Sequence, residues 1–171
     1  MVRAYASCIP QAKTSLRACR WLLPLAALVL IAATCSPGGG PVISNFRCPV
    51  DGSRYSNNYG PRGSGFHYGI DMLAPTGTPT WAVKSGNVHY TLESAGGLVA
   101  YFSAVDGNVY YYAHMSEIIG GGDRGVGQGE PIGRVGQTGN ATGPHLHFEI
   151  RLGGVNGERT NPYSTLLNAG C

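Results

Sequence analysis

Charged side chains are scarce in this chain, since Asp, Glu, Lys and Arg together make up 12% of its 171 residues. Long salt-bridged helices and coiled coils depend on charged faces, so this composition argues against both. The formal net charge is only +3, which is too small to indicate a nucleic-acid partner. The 27 glycines are instead typical of a turn-rich β protein.

Acidic side chains are absent from the first 34 residues, although this segment is basic. Its basic side chains are Arg3, Lys13, Arg17 and Arg20. The apolar run over 21–34 follows directly and is shorter than a membrane-spanning helix requires. A basic stretch followed by a short apolar run is typical of an export signal, so we assign residues 1–35 to an export signal or a lipoprotein leader.

The end of this leader admits three outcomes at Cys35. Residues 32–35 (AATC) are similar to the cleavage site of bacterial lipoproteins, which predicts lipidation of Cys35. Cleavage without lipidation and retention of the leader as an anchor are the alternatives. In each case the remaining chain lies outside the cytoplasm, either secreted or tethered to the outer face of the cell membrane or cell wall. We expect it to meet the membrane only through the leader or a lipid.

Cysteine is scarce beyond the leader, where only Cys48 and Cys171 occur. In an oxidising compartment these two predict a disulfide, the alternative being two unrelated thiols. Residues 36–46 predict a short Pro- and Gly-rich tether, and 47–171 one domain without internal repeats. Without the four basic residues of the leader, the chain has eight basic and nine acidic side chains, so its charge does not favour nucleic acid.

The domain has the sequence pattern of an antiparallel sheet with irregular glycine-rich loops. Segments 98–105 and 108–114 are rich in β-branched and aromatic residues, and Asp106-Gly107 between them predicts a two-residue hairpin turn. Further short strands are expected over 80–83, 86–92 and 131–135. No segment sustains a period of 3.6 residues over three turns, so the fold class is mainly β with little helix.

Segment 145–151 alternates strictly between polar and apolar side chains, which on a strand separates two faces. The face directed to the core contains Leu146, Phe148 and Ile150. The opposite face contains His145, His147, Glu149 and Arg151. Two imidazoles two residues apart on one face can act on one centre, although a strand with a polar surface would give the same pattern.

More imidazoles accompany this pair. His67 precedes Asp71 by four residues, and His114 is expected to share one face of its strand with Tyr110 and Tyr112. Imidazole nitrogens and a carboxylate oxygen suit Zn²⁺, and three protein ligands leave a fourth position for water, as in catalytic zinc sites. The fifth histidine, His89, is interpreted as a surface residue.

Three segments in this order resemble the signature of the lysostaphin/LytM-type zinc peptidases. They are His67-x-x-x-Asp71, Tyr112-Ala113-His114 and Gly143-Pro144-His145-Leu146-His147-Phe148-Glu149. The resemblance covers nearly all of 47–171 and implies that family's β fold, a duplicated hybrid motif. It also implies that His67, Asp71 and His147 bind zinc, that His114 and His145 are catalytic, and that Tyr59 and Tyr112 contact substrate.

The resemblance implies a zinc-dependent endopeptidase that hydrolyses peptide cross-links or stem peptides of bacterial peptidoglycan. We expect this protein to be a monomer. The general base could be either His114 or His145. Glu149 could support a ligand imidazole through a hydrogen bond, but the simpler expectation is a surface Glu. The alternative function is a catalytically inactive peptidoglycan-binding scaffold or amidase activator of the same fold. A biotinyl or lipoyl carrier would need a lysine at a hairpin tip, and Lys84 lacks the flanking residues of such a site.

Overall fold

The structure is a computed structural model in which residues 40–63 and 65–171 are described. The predicted leader, Cys35 and residues 36–39 of the tether lie outside the described residues. Within the described ranges, no helix has both the length and the apolar character needed to cross a membrane.

Strands dominate the described residues, as the composition predicts. The elements are β1 (Arg54–Asn57), β2 (Gly60–Arg62), β3 (Gly65–His67), β4 (Ile70–Leu73), β5 (Pro79–Trp81), β6 (Gly86–Glu93), β7 (Gly97–Ala104), β8 (Val109–Ile118), β9 (Arg124–Val126), β10 (Pro131–Val135), β11 (His145–Leu152), β12 (Glu158–Thr160) and α1 (Tyr163–Asn168). The antiparallel β fold class is therefore confirmed.

The main sheet has the order β1-β4-β11-β8-β7-β6-β9, and all of its pairings are antiparallel. Strand β10 pairs with β5 and β8, β12 pairs with β11, and β2 and β3 form a separate hairpin. Strand β11 therefore lies between β4 and β8, which brings three segments that are distant in sequence side by side.

The predicted hairpin between β7 and β8 is present, but its turn is longer than the predicted two residues. The amide of Ala104 donates to the carbonyl oxygen of Asn108, which closes a three-residue loop over 105–107. Gly107 has a φ of +82°. The last residue of a three-residue hairpin loop commonly has a left-handed conformation, and Gly107 occupies that position here.

The larger hydrophobic core lies on one face of the main sheet. The predicted inward residues of β11, Leu146, Phe148 and Ile150, are fully buried, together with Tyr110 and Tyr112 of β8. The ring of Tyr112 packs edge-on against that of Phe148, with centroids 5.2 Å apart. Burial of these large side chains is the main favourable term for the sheet.

Both ends of the described chain pack on this sheet. The ring of Phe46, assigned above to the tether, lies 5.5 Å from that of Tyr110, and the Ile43 amide donates to Thr165 Oγ1. Residues 41–46 are thus part of the folded unit. Cys48 and Cys171 are joined as a disulfide with Cα atoms 5.4 Å apart, which links the start of the domain to α1 and the C-terminus.

Candidate active site

Three side chains bring metal-ligand atoms together around β11. Asp71 on β4 and His147 on β11 are direct partners in the antiparallel register, and His67 is the last residue of β3. Asp71 Oδ1 lies 3.0 Å from His67 Nε2 and 2.9 Å from His147 Nδ1. The two nitrogens are 2.9 Å apart. All three side chains are largely buried.

The outward nitrogens of both imidazoles have acceptor partners. His67 Nδ1 lies 3.0 Å from the carbonyl oxygen of Asn58, and His147 Nε2 lies 3.2 Å from Glu149 Oε1. Since carbonyl and carboxylate oxygens accept, each outward nitrogen carries the proton of its neutral ring, and each inward nitrogen presents a lone pair. Three lone-pair atoms therefore face one another, an arrangement that needs a cation or a proton between them.

This donor set fits a zinc ion. Zinc is bound by imidazole nitrogen and carboxylate oxygen at about 2.0–2.1 Å, so ligand atoms of a tetrahedral site are roughly 3.3 Å apart. The three atoms of His67, Asp71 and His147 form a triangle with edges of 2.9–3.0 Å, close to that spacing. Three ligands leave one coordination position for water or substrate. The structure thus brings together the predicted ligand set.

The carboxylate of Asp71 is held in its ionised form. Burial alone would raise its pKa, but the His147 and His67 rings, which donate to the carboxylate when a proton lies between the three groups, outweigh burial and keep the pKa well below its ordinary value. Its second oxygen, Oδ2, accepts a hydrogen bond from Arg62 at 3.1 Å. Asp71 is thus an anion with one oxygen directed at the two imidazoles.

The two predicted catalytic histidines lie beside the ligand triangle. His145 Nε2 is 3.7 Å from Asp71 Oδ1, and the ring centroids of His114 and His145 are 4.7 Å apart. Nδ1 of each ring lies 2.8 Å from a carbonyl oxygen, that of Gly143 for His145 and that of Thr138 for His114. Nδ1 is therefore the donor in each neutral ring, and Nε2 carries the lone pair.

His114 reaches this site through an unusual backbone conformation. Its φ is +64°, in the left-handed region that is costly for residues other than glycine. Tyr110 and Tyr112 face the core, and uninterrupted alternation along β8 would place His114 beside them. The left-handed conformation instead directs the His114 side chain away from the core, so that His114 and Tyr111 line a cavity that also contains Asp71. The predicted common face of Tyr110, Tyr112 and His114 is therefore wrong for His114.

The prediction that Tyr112 contacts substrate is wrong. Tyr112 is fully buried in the core, and its hydroxyl donates to the carbonyl oxygen of Trp81 at 3.0 Å. Tyr59 donates its hydroxyl to the Arg159 carbonyl oxygen and packs behind Phe66, with ring centroids 4.9 Å apart. Phe66 itself lines the cavity. Substrate contact by Tyr59 stays a prediction.

Glu149 is not a surface residue, contrary to the simpler expectation. It is 6% exposed, accepts a hydrogen bond from the His147 ring, and pairs with Arg151 at 2.8 Å. Burial alone would raise its pKa, but the hydrogen bond from His147 and the charge of Arg151 outweigh burial and lower it. The predicted surface position of His89 is confirmed, since its side chain is 63% exposed and pairs with Asp123.

One cavity of about 580 Å³ contains the whole arrangement. Its wall includes His67, Asp71, His114, His145, His147 and Glu149. Such a volume accommodates a segment of a peptide-sized ligand, with ionisable groups concentrated on one wall. The five residues predicted to carry the chemistry thus converge on a single solvent-accessible cleft.

Some supporting residues were not found from the sequence. Gly97 has a φ of +68°, and a Cβ atom there would collide with the backbone of Thr138 and Gly139. This close packing holds the Thr138 carbonyl that accepts from His114. The contact between Gly97 and Gly139 joins residues more than forty positions apart, so no local signal in the sequence indicates it.

Comparisons with known proteins agree with this geometry. The family model described as Peptidase family M23 matches residues 65–162. A peptidoglycan DD-endopeptidase, ShyC of Vibrio cholerae, is 37% identical over 130 residues, 71% of this chain and 29% of that protein. The DD-carboxypeptidase/endopeptidase Mpg of Neisseria meningitidis is 40% identical over 102 residues, 59% of this chain and 23% of that protein. This chain thus spans less than a third of the length of either relative.

Solved structures show the same fold. The catalytic domain of a mutant of the prophage-encoded M23 protein EnpA from Enterococcus faecalis is 37% identical, with a TM-score of 0.59, over 66% of this chain and 91% of that domain. The catalytic domain of the antimicrobial peptidase lysostaphin from Staphylococcus simulans is 29% identical, with a TM-score of 0.62, over 67% of this chain and 92% of that domain. Fold, site geometry and the family match agree that this chain belongs to peptidase family M23.

Proposed function

We propose that this protein is a zinc-dependent endopeptidase that hydrolyses peptide cross-links or stem peptides of bacterial cell-wall peptidoglycan. The observation that carries the proposal is the convergence of three lone-pair ligand atoms, with edges of 2.9–3.0 Å, beside two further imidazoles in one cleft. Family membership supports the reaction type. The named activity of the Vibrio relative supports the substrate.

His67, Asp71 and His147 would hold the zinc ion. Zinc held there would lower the pKa of a coordinated water to about 7 and polarise a substrate carbonyl, which would allow hydrolysis at neutral pH. The protein contributes three fixed ligands, of which only Asp71 is charged, so the site retains a net positive charge. That positive charge stabilises the negative charge that develops on the carbonyl oxygen in the transition state.

The remaining two histidines would handle the protons. His145 Nε2 carries a lone pair next to the ligand triangle, so we assign it to accept a proton from the attacking water. The water oxygen then bonds to the carbonyl carbon, the carbon–nitrogen bond breaks, and the same proton passes to the leaving amine. His114, with its ring centre 4.7 Å from that of His145, would orient the water or stabilise the oxyanion.

The ionisation state of His114 suits this role. Burial lowers its pKa, although the hydrogen bond to the Thr138 carbonyl partly offsets that effect. A neutral ring at pH 7 can accept a hydrogen bond at Nε2. Exchange of the two roles between His114 and His145 is the alternative assignment.

Action on peptidoglycan requires a location outside the cytoplasm. The basic and apolar leader over 1–35 supports export, with Cys35 as the proposed lipidation site. We propose that the protein is a monomer and contacts the membrane only through this leader or lipid. Oxidation of Cys48 and Cys171 to a disulfide is consistent with such a compartment.

Two other functions are less well supported by the site. A catalytically inactive scaffold has no need for all five of His67, Asp71, His114, His145 and His147 around one cavity. A biotinyl or lipoyl carrier is disfavoured because Lys84 is buried and donates to the carbonyl oxygen of Ser44.

The test is digestion of purified peptidoglycan by the full chain, with and without added zinc. We expect new free amines only with the zinc-loaded protein, together with loss of cross-linked muropeptides or shortening of stem peptides. Release of amines after zinc removal, or no new free amines with a fully loaded protein, would refute the proposal.

A further inference from the structure

A buried network of charges lies behind His147, on the side away from the proposed zinc position. His147, Glu149 and Arg151 occupy alternate positions on one face of β11, and Glu149 and Arg151 are each 6% exposed. A buried ion pair costs free energy of desolvation, and an apolar pair of similar size often stabilises a fold as well or better. Its presence directly behind a ligand imidazole calls for a role other than stability.

The two oxygens of Glu149 have different partners. Oε1 accepts from His147 Nε2 at 3.2 Å. Oε2 accepts from Arg151 at 2.8 and 2.9 Å, and Arg159 Nε lies 3.4 Å away. The two guanidinium groups keep Glu149 an anion, so Oε1 is available only as an acceptor.

Arg151 is itself held rigidly. Its guanidinium carbon lies 4.7 Å from the ring centre of Tyr111 and 5.1 Å from that of Tyr101. Both tyrosine hydroxyls donate to the carboxylate of Glu93, at 2.6 Å from Tyr101 and 2.8 Å from Tyr111. The network thus extends from His147 through Glu149 and Arg151 to two aromatic rings fixed at their far ends.

His147 lies between two carboxylates that compete for the single proton of its neutral ring. Asp71 Oδ1 is 2.9 Å from Nδ1, and Glu149 Oε1 is 3.2 Å from Nε2. A proton on Nδ1 would satisfy Asp71 and block coordination by His147. A proton on Nε2 leaves Nδ1 free to bind a metal.

We infer that Glu149 is a positioning residue that selects the metal-binding tautomer of His147, with Arg151 keeping Glu149 in place as an acceptor. The inference rests on the proposed function, since it assumes that His147 binds zinc. Glu149 acts through His147 and has no contact with substrate in this role. Removing its charge shifts the proton of His147 toward Nδ1 and weakens zinc binding.

The test compares zinc affinity and the His147 tautomer in the full chain and its variants. Chelator competition gives the zinc dissociation constant, and nitrogen-15 NMR of the metal-free protein at about pH 9 reports which ring nitrogen carries the proton. In Glu149→Gln we expect zinc to bind 10- to 100-fold more weakly, the range typical for loss of such a partner. We also expect the Nδ1-protonated form of His147 to increase.

Two further variants separate positioning from general stability. The double variant Glu149→Leu with Arg151→Met removes the buried charges together and leaves neither unpaired. It should fold and lose zinc affinity by the same factor. Glu93→Gln disturbs the far end of the network without touching His147, so its zinc affinity should stay within about twofold of the wild type.

The outcomes distinguish this inference from the proposed function. Suppose that Glu149→Gln and the double variant both bind zinc within twofold of the wild type, and that His147 is still protonated at Nε2. This result would overturn the inference and leave the proposed function intact. An equal loss in Glu93→Gln would also overturn it, because the effect would then be structural. A wild-type chain that binds no zinc would instead overturn the proposed function.

Discussion

Asp71 and His147 are directly opposite each other on neighbouring antiparallel strands, and Asp71 Oδ1 lies 2.9 Å from His147 Nδ1. Cross-strand partners have Cβ atoms about 4.5–5.5 Å apart, so strand pairing alone brings a carboxylate and an imidazole to one centre. His67 adds the third atom from the end of β3. The proposed ligand set is therefore positioned by sheet register more than by a flexible loop.

The ligand and catalytic histidines should differ in their effect on zinc content. His147→Ala removes one of three ligands, so we expect less than a tenth of a zinc ion per chain after dialysis, and no hydrolysis. His114→Ala leaves the three ligands in place, so we expect one zinc per chain and a rate lower by about 10²–10⁴. Atomic absorption and peptidoglycan digestion measure the two effects. Full zinc retention in His147→Ala would contradict the assigned ligand set.

Zinc affinity should fall in mild acid because of His147. Burial alone would lower the pKa of this residue, but hydrogen bonds to Asp71 and Glu149 outweigh burial and raise the pKa above its usual 6.5 in the metal-free protein. Zinc must displace that proton, so affinity is highest above the raised pKa and falls by up to tenfold for each pH unit below it. Zinc titrations between pH 5 and 8 measure this slope. A zinc affinity that does not change over that pH range would contradict the prediction.

The left-handed backbone at His114 should reverse the usual order of glycine and alanine. At a φ of +64°, an alanine is strained and a glycine is not, so His114→Gly should be more stable than His114→Ala by about 1 kcal/mol. Both variants should lose activity. Ala113, which precedes it on the same strand, provides the control. At this position Ala113→Gly should be less stable than the wild type. Thermal unfolding in which His114→Ala is more stable than His114→Gly would contradict backbone strain at His114.

Reduction of the disulfide should destabilise the domain substantially. Cys48 and Cys171 are separated by 123 positions, and closing a loop of this size contributes about 5 kcal/mol in the chain-entropy account. For a domain of this size, we expect a strong reductant to lower the unfolding midpoint by roughly 10 to 20 °C. The double variant Cys48→Ala with Cys171→Ala should unfold at the lower temperature with or without reductant. A wild-type midpoint that reductant does not change would contradict a stabilising bond.

The sequence predicted the strands of this fold well because their signals are local. Alternation over 145–151 identified the buried face of β11, and β-branched and aromatic content identified β7 and β8. The turn between β7 and β8 was one residue longer than predicted. Asp-Gly is compatible with both loop lengths, and the choice depends on which backbone pair closes the hairpin.

The site was harder to predict wherever the backbone departs from regular alternation. The positive φ of His114 reverses the side to which its side chain points, and nothing in the local residue types signals that conformation. Substrate contact by Tyr112 was inferred from the family resemblance, whereas regular alternation along β8 places its side chain in the core with that of Tyr110. The burial of Glu149 depends on Arg151 and on tyrosines of two neighbouring strands, which only the sheet register brings together.

The central claim is that bound zinc and His145 together hydrolyse peptidoglycan. The most direct measurement compares the wild type and His145→Ala at equal zinc occupancy, following new free amines released from purified peptidoglycan. We predict one zinc per chain in both proteins, steady release of amines by the wild type, and a rate lower by about 10²–10⁴ in His145→Ala. Stoichiometric zinc in the wild type with no release of amines would contradict the account and indicate a protein that binds peptidoglycan without cutting it.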